Sequence, residues 1–205
     1  MLFRSSKAAN FICQQIAVSP LDIDAFRAAF DKIEYHCKEA INEVYLMSDA
    51  EVEDVEIKYW YPQGIKLPKK ANVDYVEQLH TKRQLFSLSL LLHHINRIPE
   101  PITKELMRLV FSATLNKTNL TFSGTPGRAV TRGDSGIMRC YRYFVLRKMI
   151  DLHVWEQFEQ KFRNTVRFKL ETNSIINNSK DNLSVRYLSA THLSNSLPSN
   201  TSDKI

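Results

Sequence analysis

Residues 73–116 read VDYVEQLHTKRQLFSLSLLLHHINRIPEPITKELMRLVFSATLN, and the pattern of this stretch decides the predicted fold. In its first half, apolar residues recur every three to four positions, which predicts a helix with one buried face and Thr81 as a possible N-cap. The residues of that face are Leu85, Leu88, Leu91, Leu92 and Ile95.

A second helix is predicted to start at Pro99 and Pro101. The residues that its spacing turns inward are Ile102, Leu106, Leu109, Val110 and Ala113. Because only a short, proline-bearing turn separates the two helices, we expect them to pack as an antiparallel pair.

Two more helices are predicted outside this stretch. Residues 19–47 favour a long helix with Ser19 as N-cap, Pro20 in the first turn and Asp22 in a capping box. Its apolar face consists of Ile23, Phe26, Phe30, Ile33, Cys37, Ile41 and Val44. Asp151 is predicted to cap a short helix over residues 151–164, whose apolar face consists of Val154, Trp155, Phe158 and Phe162.

The remaining segments have weaker patterns. Residues 57–70 contain aromatics, two prolines and a glycine, which favours a short strand or turn that leads into a loop. Residues 137–146, IMRCYRYFVL, are predicted to form a strand. Asparagine and serine supply 14 of the 33 residues in 173–205, a composition typical of a disordered tail. The chain itself is therefore predicted to be mainly α-helical, with a few short strands and a disordered C-terminal tail.

Composition limits the classes of protein to consider. The chain has 205 residues, of which 43% are hydrophobic and 24% charged, as in an ordinary globular protein. No apolar run approaches the roughly 18–20 residues of a membrane span, so no membrane partner is expected. The three cysteines, Cys13, Cys37 and Cys140, are far apart and odd in number, which favours free thiols and a cytoplasmic location.

Positive charge is concentrated in one segment. Residues 116–148 contain seven basic residues and one acid, Asp134, so they account for the whole net charge of +6. A confined basic surface indicates a polyanionic partner such as nucleic acid, although a solvated basic loop fits the charge equally well. The predicted nucleic-acid-binding residues are Lys117, Arg128, Arg132, Arg139 and Arg142. Nearby, Tyr141, Tyr143 and Phe144 could stack on bases or belong to the core.

No catalytic, cofactor-binding or metal-binding residue is predicted. The glycines of residues 122–127, FSGTPG, lack the preceding apolar strand and following helix of a phosphate-binding loop. The pairs His36–Cys37 and His93–His94 are adjacent in sequence, and neighbouring helical residues diverge by about 100° rather than converging on one metal ion.

Several segments together resemble a family of bacterial site-specific DNA methyltransferases, the adenine-type enzymes with an Asp-Pro-Pro-aromatic motif. Residues 73–98 and ELMRLVFSATLNKTN at 105–119 are similar to helices in the middle of those enzymes. YWYP at 59–62 and YRYFVLRKMIDLHVWEQFEQKF at 141–162 are similar to flanking segments. The resemblance implies an α/β fold that binds S-adenosylmethionine, methyl transfer to a base amine, and DNA as the partner.

The family's two essential motifs are not found in this sequence. A Phe-x-Gly-x-Gly segment is missing, and no two prolines are adjacent, so Asp-Pro-Pro-aromatic is missing too. The resemblance thus implies an incomplete methyltransferase domain over 1–172, with a helical insertion at about 74–116 and a basic loop and strand at about 117–148, followed by an Asn/Ser-rich tail at 173–205. Such a fragment is expected to be inactive alone, and S-adenosylmethionine is expected not to bind it without a second polypeptide that carries the missing motifs.

A different class of protein fits the same residues. The chain could be a small non-enzymatic nucleic-acid-binding or adaptor protein with helices and a basic loop. The first hypothesis includes a nucleic-acid partner, and so does the second unless the chain is an adaptor.

Overall fold

The structure is a computed structural model, and it describes residues 21–121, 143, 145 and 150–178, with side chains described as far as residue 173. Contacts divide the chain into two compact units, one of residues 21–170 and one of residues 1–20 with 171–205. In the second unit only residues 171–178 are described, and they belong to a helix. Among the described helices, none combines the length and the apolar character that crossing a bilayer requires.

Five α-helices and one 3-10 helix form the described part of the chain. They are α1 (Ile23–Leu46), α2 (Asp49–Glu53), the 3-10 helix (Val76–Leu79), α3 (Lys82–Asn96), α4 (Pro101–Leu115) and α5 (Val154–Asn178). The described residues contain no β-strand, only an isolated bridge between Lys66 and Tyr75. The prediction of a mainly helical chain is confirmed, whereas the α/β fold stays a prediction from the resemblance.

The long helix α1 begins later than the sequence predicts. The carboxylate of Asp22 accepts hydrogen bonds of 3.0 Å from the backbone N–H groups of Asp24 and Ala25, so Asp22 is the N-cap and the helix starts at Ile23. The prediction of Ser19 as cap was wrong, because the aspartate can satisfy two of the first N–H groups. The predicted apolar face is buried from Phe26 to Val44, while Ile23 is half-buried.

Aromatic side chains join α1 to α5. The ring of Phe30 stacks on that of Phe162 with centroids 3.9 Å apart, and it also contacts Trp155 and Phe158. All four predicted apolar residues of α5 are buried, as are those of α1 that they meet. Since rings of this size bury more apolar area than any other side chain, this contact forms the centre of the core.

The helix pair α3–α4 is antiparallel as predicted, but α4 is rotated. Thr81 caps α3, because its hydroxyl accepts a hydrogen bond from the Gln84 N–H. The side-chain oxygen of Gln84 accepts one from the Thr81 N–H, which completes a capping box. In α4 the residues predicted to point inward include Ile102, which is 44% exposed, and Ala113, which is exposed. The buried residues are Thr103, Leu106, Met107, Val110, Phe111 and Thr114. The larger side chains of Met107 and Phe111 gain more from burial than alanine does.

The last helix differs most from its prediction. α5 runs from Val154 to Asn178, so it continues past residue 164 and includes the first six residues of the predicted disordered tail. Asp151 does not cap it, because its carboxylate accepts a hydrogen bond from the Thr81 hydroxyl, and the His153 carbonyl accepts the first helical bond from Gln157. A tertiary contact has replaced the local cap.

Most of the predicted strand at 137–146 lies outside the described residues. The two residues of it that are described, Tyr143 and Val145, are not in a strand. Instead, the side-chain amide of Asn72 accepts from the Val145 N–H at 2.8 Å and donates to the Val145 carbonyl at 2.9 Å. An asparagine side chain therefore satisfies the backbone groups that a neighbouring strand would have paired.

Candidate nucleic-acid interface

Of the five predicted nucleic-acid-binding residues, the structure describes only Lys117. Arg128, Arg132, Arg139 and Arg142 lie outside the described residues, as do the nearby rings of Tyr141 and Phe144. Tyr143 is half-buried. Lys117 is therefore the one predicted contact whose surroundings the structure describes.

Lys117 lies in a turn that directly follows α4. Its backbone N–H donates to the Thr114 carbonyl at 2.9 Å, and the Thr118 hydroxyl donates to the same carbonyl at 3.1 Å. Asn119 closes the turn by donating to the carbonyls of Leu115 and Asn116. A basic loop was predicted from about residue 117 onward, but residues 118–121 are buried, and side chains among them satisfy carbonyls that the end of α4 leaves open.

The same turn is bonded to the segment that leads into α3. The Leu120 N–H donates to the Leu79 carbonyl at 2.8 Å, and His80 Nδ1 donates to the Thr118 carbonyl at 2.9 Å. These bonds connect residues about forty positions apart, so the backbone at Lys117 is fixed from both sides.

The charge of Lys117 acts on that of a second lysine, Lys161, which lies on α5. Burial lowers the pKa of Lys161, and the positive charge of Lys117 lowers it further. Among the described residues neither ammonium group has an ion-pair partner, whereas Arg163, two positions on, is paired with Glu159 at 2.7 Å. Two positive charges that repel each other are thus present here without an ion-pair partner among the described residues.

Sequence reasoning identified Lys117 but missed Lys161. Forty-four positions separate the two, and the sequence around Lys161 is that of an ordinary amphipathic helix with alternating charges. The electrostatic effect of one lysine on the other depends on tertiary structure, because no local pattern relates their positions.

A half-buried network of polar groups includes Tyr45, Thr81 and Asp151. Asp151 accepts from the Thr81 hydroxyl at 3.1 Å, and the hydroxyl of Tyr45 donates to the Leu152 carbonyl at 3.1 Å while accepting from the Val154 N–H at 3.3 Å. Burial raises the pKa of Asp151, which the hydrogen bond from Thr81 opposes. These hydrogen bonds connect the C-terminal end of α1 and the N-terminal end of α3 to the start of α5, and they fix the position of α5.

His80, which is half-buried and donates to the turn at Lys117, predicts a pH effect on stability. Burial lowers the pKa of His80 to about 4, from about 6.5 in an unfolded chain. The unfolded state therefore binds a proton first, so the free energy of unfolding should fall as the pH drops below about 6.5 and level off below about 4, with a total loss of about 3 kcal/mol. Burial also lowers the pKa of His94 and His153, which adds to the loss.

Urea unfolding of the wild type and of His80→Gln, measured at several pH values between about 7 and 4, checks this expectation. The pH dependence should be clearly smaller in His80→Gln. The matched control is His36→Gln, since His36 is exposed on α1 and its replacement should leave most of the slope intact. Equal slopes for wild type and His80→Gln would contradict a neutral, buried His80.

The paired histidines of the sequence lie elsewhere. His93 stacks on Tyr59 with ring centroids 4.1 Å apart, and His94 stacks on His36 at 4.9 Å. Within the described ranges, no group of three or more His, Cys, Asp or Glu side chains is arranged to hold a metal ion.

No family model matches this chain, and neither a curated protein nor a solved structure matches it. Its function therefore has to be inferred from its own residues.

Proposed function

We propose that this protein binds nucleic acid through phosphate contacts, and that Lys117 and Lys161 hold one of those phosphates. The observation that carries the proposal is the pair itself. The positive charge of Lys117, in the turn after α4, lowers the pKa of Lys161 on α5, and neither lysine has an ion-pair partner among the described residues. Keeping such a pair costs stability, and a bound phosphate would offset that cost.

The position of the pair in the sequence supports a larger basic surface. Lys117 is the first of the seven basic residues of 116–148. The predicted contacts Arg128, Arg132, Arg139 and Arg142 follow it within the next 25 residues. A fixed lysine pair at the start of this window would place one phosphate, and the arginines would hold further phosphates in bidentate fashion.

Contacts of this type position a nucleic acid and read no sequence. Lysine acts as a point charge, so a pair of lysines distinguishes a phosphate from other groups but not one base from another. We therefore propose binding with little sequence preference at this site. Methyl transfer and binding of S-adenosylmethionine rest on the sequence resemblance alone and stay predictions. They share the proposed DNA partner.

The proposal predicts a strong dependence on salt. If four or five phosphates are contacted, the logarithm of the association constant should fall against the logarithm of salt concentration with a slope of about −4. Fluorescence anisotropy of a labelled DNA duplex between about 50 and 200 mM salt measures that slope. The double variant Lys117→Met/Lys161→Met keeps the apolar stems, and its slope should be smaller in magnitude by about 0.9, the contribution of one lost phosphate contact.

Lys104→Met is the matched control, because Lys104 lies in the first turn of α4. Measured along the helix axis, it is about 20 Å from Lys117. Its slope should equal that of the wild type. Binding without salt dependence, or an equal loss in Lys104→Met and Lys117→Met, would contradict the proposed phosphate site.

A further inference from the structure

A loop of residues 64–75 folds back on itself before the 3-10 helix. The Leu67 N–H donates to the Asp74 carbonyl at 2.8 Å, and the Val76 N–H donates to the Ile65 carbonyl at 3.0 Å. These hydrogen bonds join the two arms of the loop, so its side chains project from a backbone that is already ordered. We refer to residues 64–75 as the lysine loop.

The lysine loop presents three exposed ammonium groups, those of Lys66, Lys69 and Lys70. None of the three forms an ion pair with a residue that the structure describes. The loop contains one acid, Asp74, so three positive charges against one negative charge leave it at +2. Lys66 and Lys69 line one cleft of about 280 Å³, together with Asp74 and Tyr75. Single exposed lysines are ordinary on a protein surface, so what lies next to these lysines matters more than their number.

Asn72 fixes a distant part of the backbone to the lysine loop. Its N–H donates to the Tyr143 carbonyl at 3.3 Å. Its side-chain amide accepts from the Val145 N–H at 2.8 Å and donates to the Val145 carbonyl at 2.9 Å. Asn72 is two positions after Lys70 in the chain, so their Cα atoms are no more than about 7 Å apart. The backbone at residues 143–145 therefore lies next to the tip of the loop.

The two segments that Asn72 joins are both basic. Residues 57–73 contain four lysines and no acid, and residues 135–150, which we call the basic segment, contain four basic residues and no acid. Together they carry a charge of +8, which exceeds the net charge of +6 of the whole chain. Arg142, a predicted contact whose side chain lies outside the described residues, directly precedes Tyr143. Positive charges on adjacent segments repel one another, and a polyanion that spans both would offset that repulsion.

We propose that the lysine loop is a second phosphate-binding site for nucleic acid, in which Lys66 and Lys69 hold a phosphate in their cleft and Asn72 positions the basic segment beside them. This inference rests on the proposed function and deepens it by naming further contacts. Duplex DNA carries one negative charge per about 1.7 Å of its axis, so one molecule can meet the lysines of the loop and the basic segment together. Lysine ammonium groups bind phosphate without selecting a base, so the site adds affinity and no sequence preference.

Acetylation of lysine side chains tests the contact without changing the chain. Lys58, Lys66 and Lys69 are all exposed, so all three should react in the free protein. When the protein is saturated with a DNA duplex at about 50 mM salt, Lys66 and Lys69 should lose most of their labelling, as read by mass spectrometry. Lys58 should keep its labelling, because it lies two positions after the last of the five acids of residues 49–56. Equal labelling of Lys66 and Lys69 with and without duplex would overturn the inference.

The salt dependence of binding provides a second measurement. Lys66→Met/Lys69→Met should lower the magnitude of the salt slope by about 0.9, the contribution of one phosphate contact. The matched control, Lys58→Met/Lys104→Met, removes the same charge from outside the lysine loop and should keep the wild-type slope. Far-UV circular dichroism checks that both variants fold. An equal change of slope in the two variants would mean a general effect of net charge and would overturn the site.

The positioning role of Asn72 is tested by Asn72→Ala, which removes both side-chain hydrogen bonds to Val145. Trypsin should then cleave after Arg142 at least about 5-fold faster, since each lost bond favours the docked backbone by about that factor. Duplex affinity should fall by a similar factor. Gln63→Ala is the control, because Gln63 is an exposed amide just before the loop. Unchanged cleavage and unchanged affinity in Asn72→Ala would contradict the docking of the basic segment on the loop.

The two proposals can fail separately. If Lys117→Met/Lys161→Met lowers the salt slope and Lys66→Met/Lys69→Met does not, the lysine loop is overturned and the phosphate site at Lys117 stands. The reverse result overturns the site at Lys117 and supports the lysine loop. Absence of duplex binding by the wild type at about 50 mM salt would overturn both.

Discussion

Phe30→Ala should lower the free energy of unfolding by about 3–5 kcal/mol, the usual cost of removing a buried phenylalanine ring. Phe30 is buried on α1, and its ring contacts three rings of α5, with the Phe162 centroid at 3.9 Å, Trp155 at 5.5 Å and Phe158 at 5.9 Å. Removing it leaves a cavity between two helices. Against a typical total stability of about 5–15 kcal/mol, this change alone would bring the protein close to unfolding.

Urea denaturation followed by far-UV circular dichroism and tryptophan fluorescence measures the loss. Tyr35→Ala is the matched control, since Tyr35 also lies on α1 but is mostly exposed, and its replacement should change the stability by less than about 0.5 kcal/mol. Phe30→Leu, which keeps most of the apolar volume, should fall between the two. A loss below about 1 kcal/mol in Phe30→Ala would contradict the packing of α1 against α5.

Arg83→Ala should cost about 3 kcal/mol, because one guanidinium group satisfies the C-terminal end of α1. Its Nη2 donates to the Met47 carbonyl at 2.6 Å, its Nε donates to the Val44 carbonyl at 3.3 Å, and its Nη1 donates to Asp49 at 2.7 Å. The side chain of Arg83 is only 16% exposed. Charged donors to carbonyls at a helix end are worth more than neutral hydrogen bonds, and their loss leaves those carbonyls open.

A variant of Asp49, the ion-pair partner of Arg83, distinguishes capping of α1 from a stabilising salt bridge. Asp49 is 95% exposed, so Asp49→Asn should cost less than about 1 kcal/mol. Arg83→Lys should recover only part of the loss, because an ammonium group lacks the fork that reaches two carbonyls at once. If Asp49→Asn destabilises the protein as much as Arg83→Ala does, capping of α1 by Arg83 would be ruled out.

Sequence reasoning named individual residues of the important pairs but did not predict their partners. Lys117 was predicted from the run of basic residues that it begins, but Lys161 lies among alternating charges and gives no local signal. Asp151 was predicted to cap the helix beside it, because local rules reward a short carboxylate before a helix. In the structure the carboxylate of Asp151 instead accepts a hydrogen bond from the hydroxyl of Thr81, seventy positions earlier in the chain.

The sequence by itself determined the positions of the four longer helices, apart from the C-terminal extension of α5, and which face of α1 and α5 is buried. Apolar spacing is a local property, and the buried residues from Phe26 to Val44 and from Val154 to Phe162 follow it directly. Tertiary structure decided the rotation of α4, the burial of the turn at Thr118–Thr121, the meeting of Lys117 with Lys161, and the stacking of His36 on His94. Each of these depends on side chains that are distant in sequence competing for the same space and the same hydrogen bonds. The outcome therefore depends on the free energy of the whole packed chain and cannot be read from any one segment.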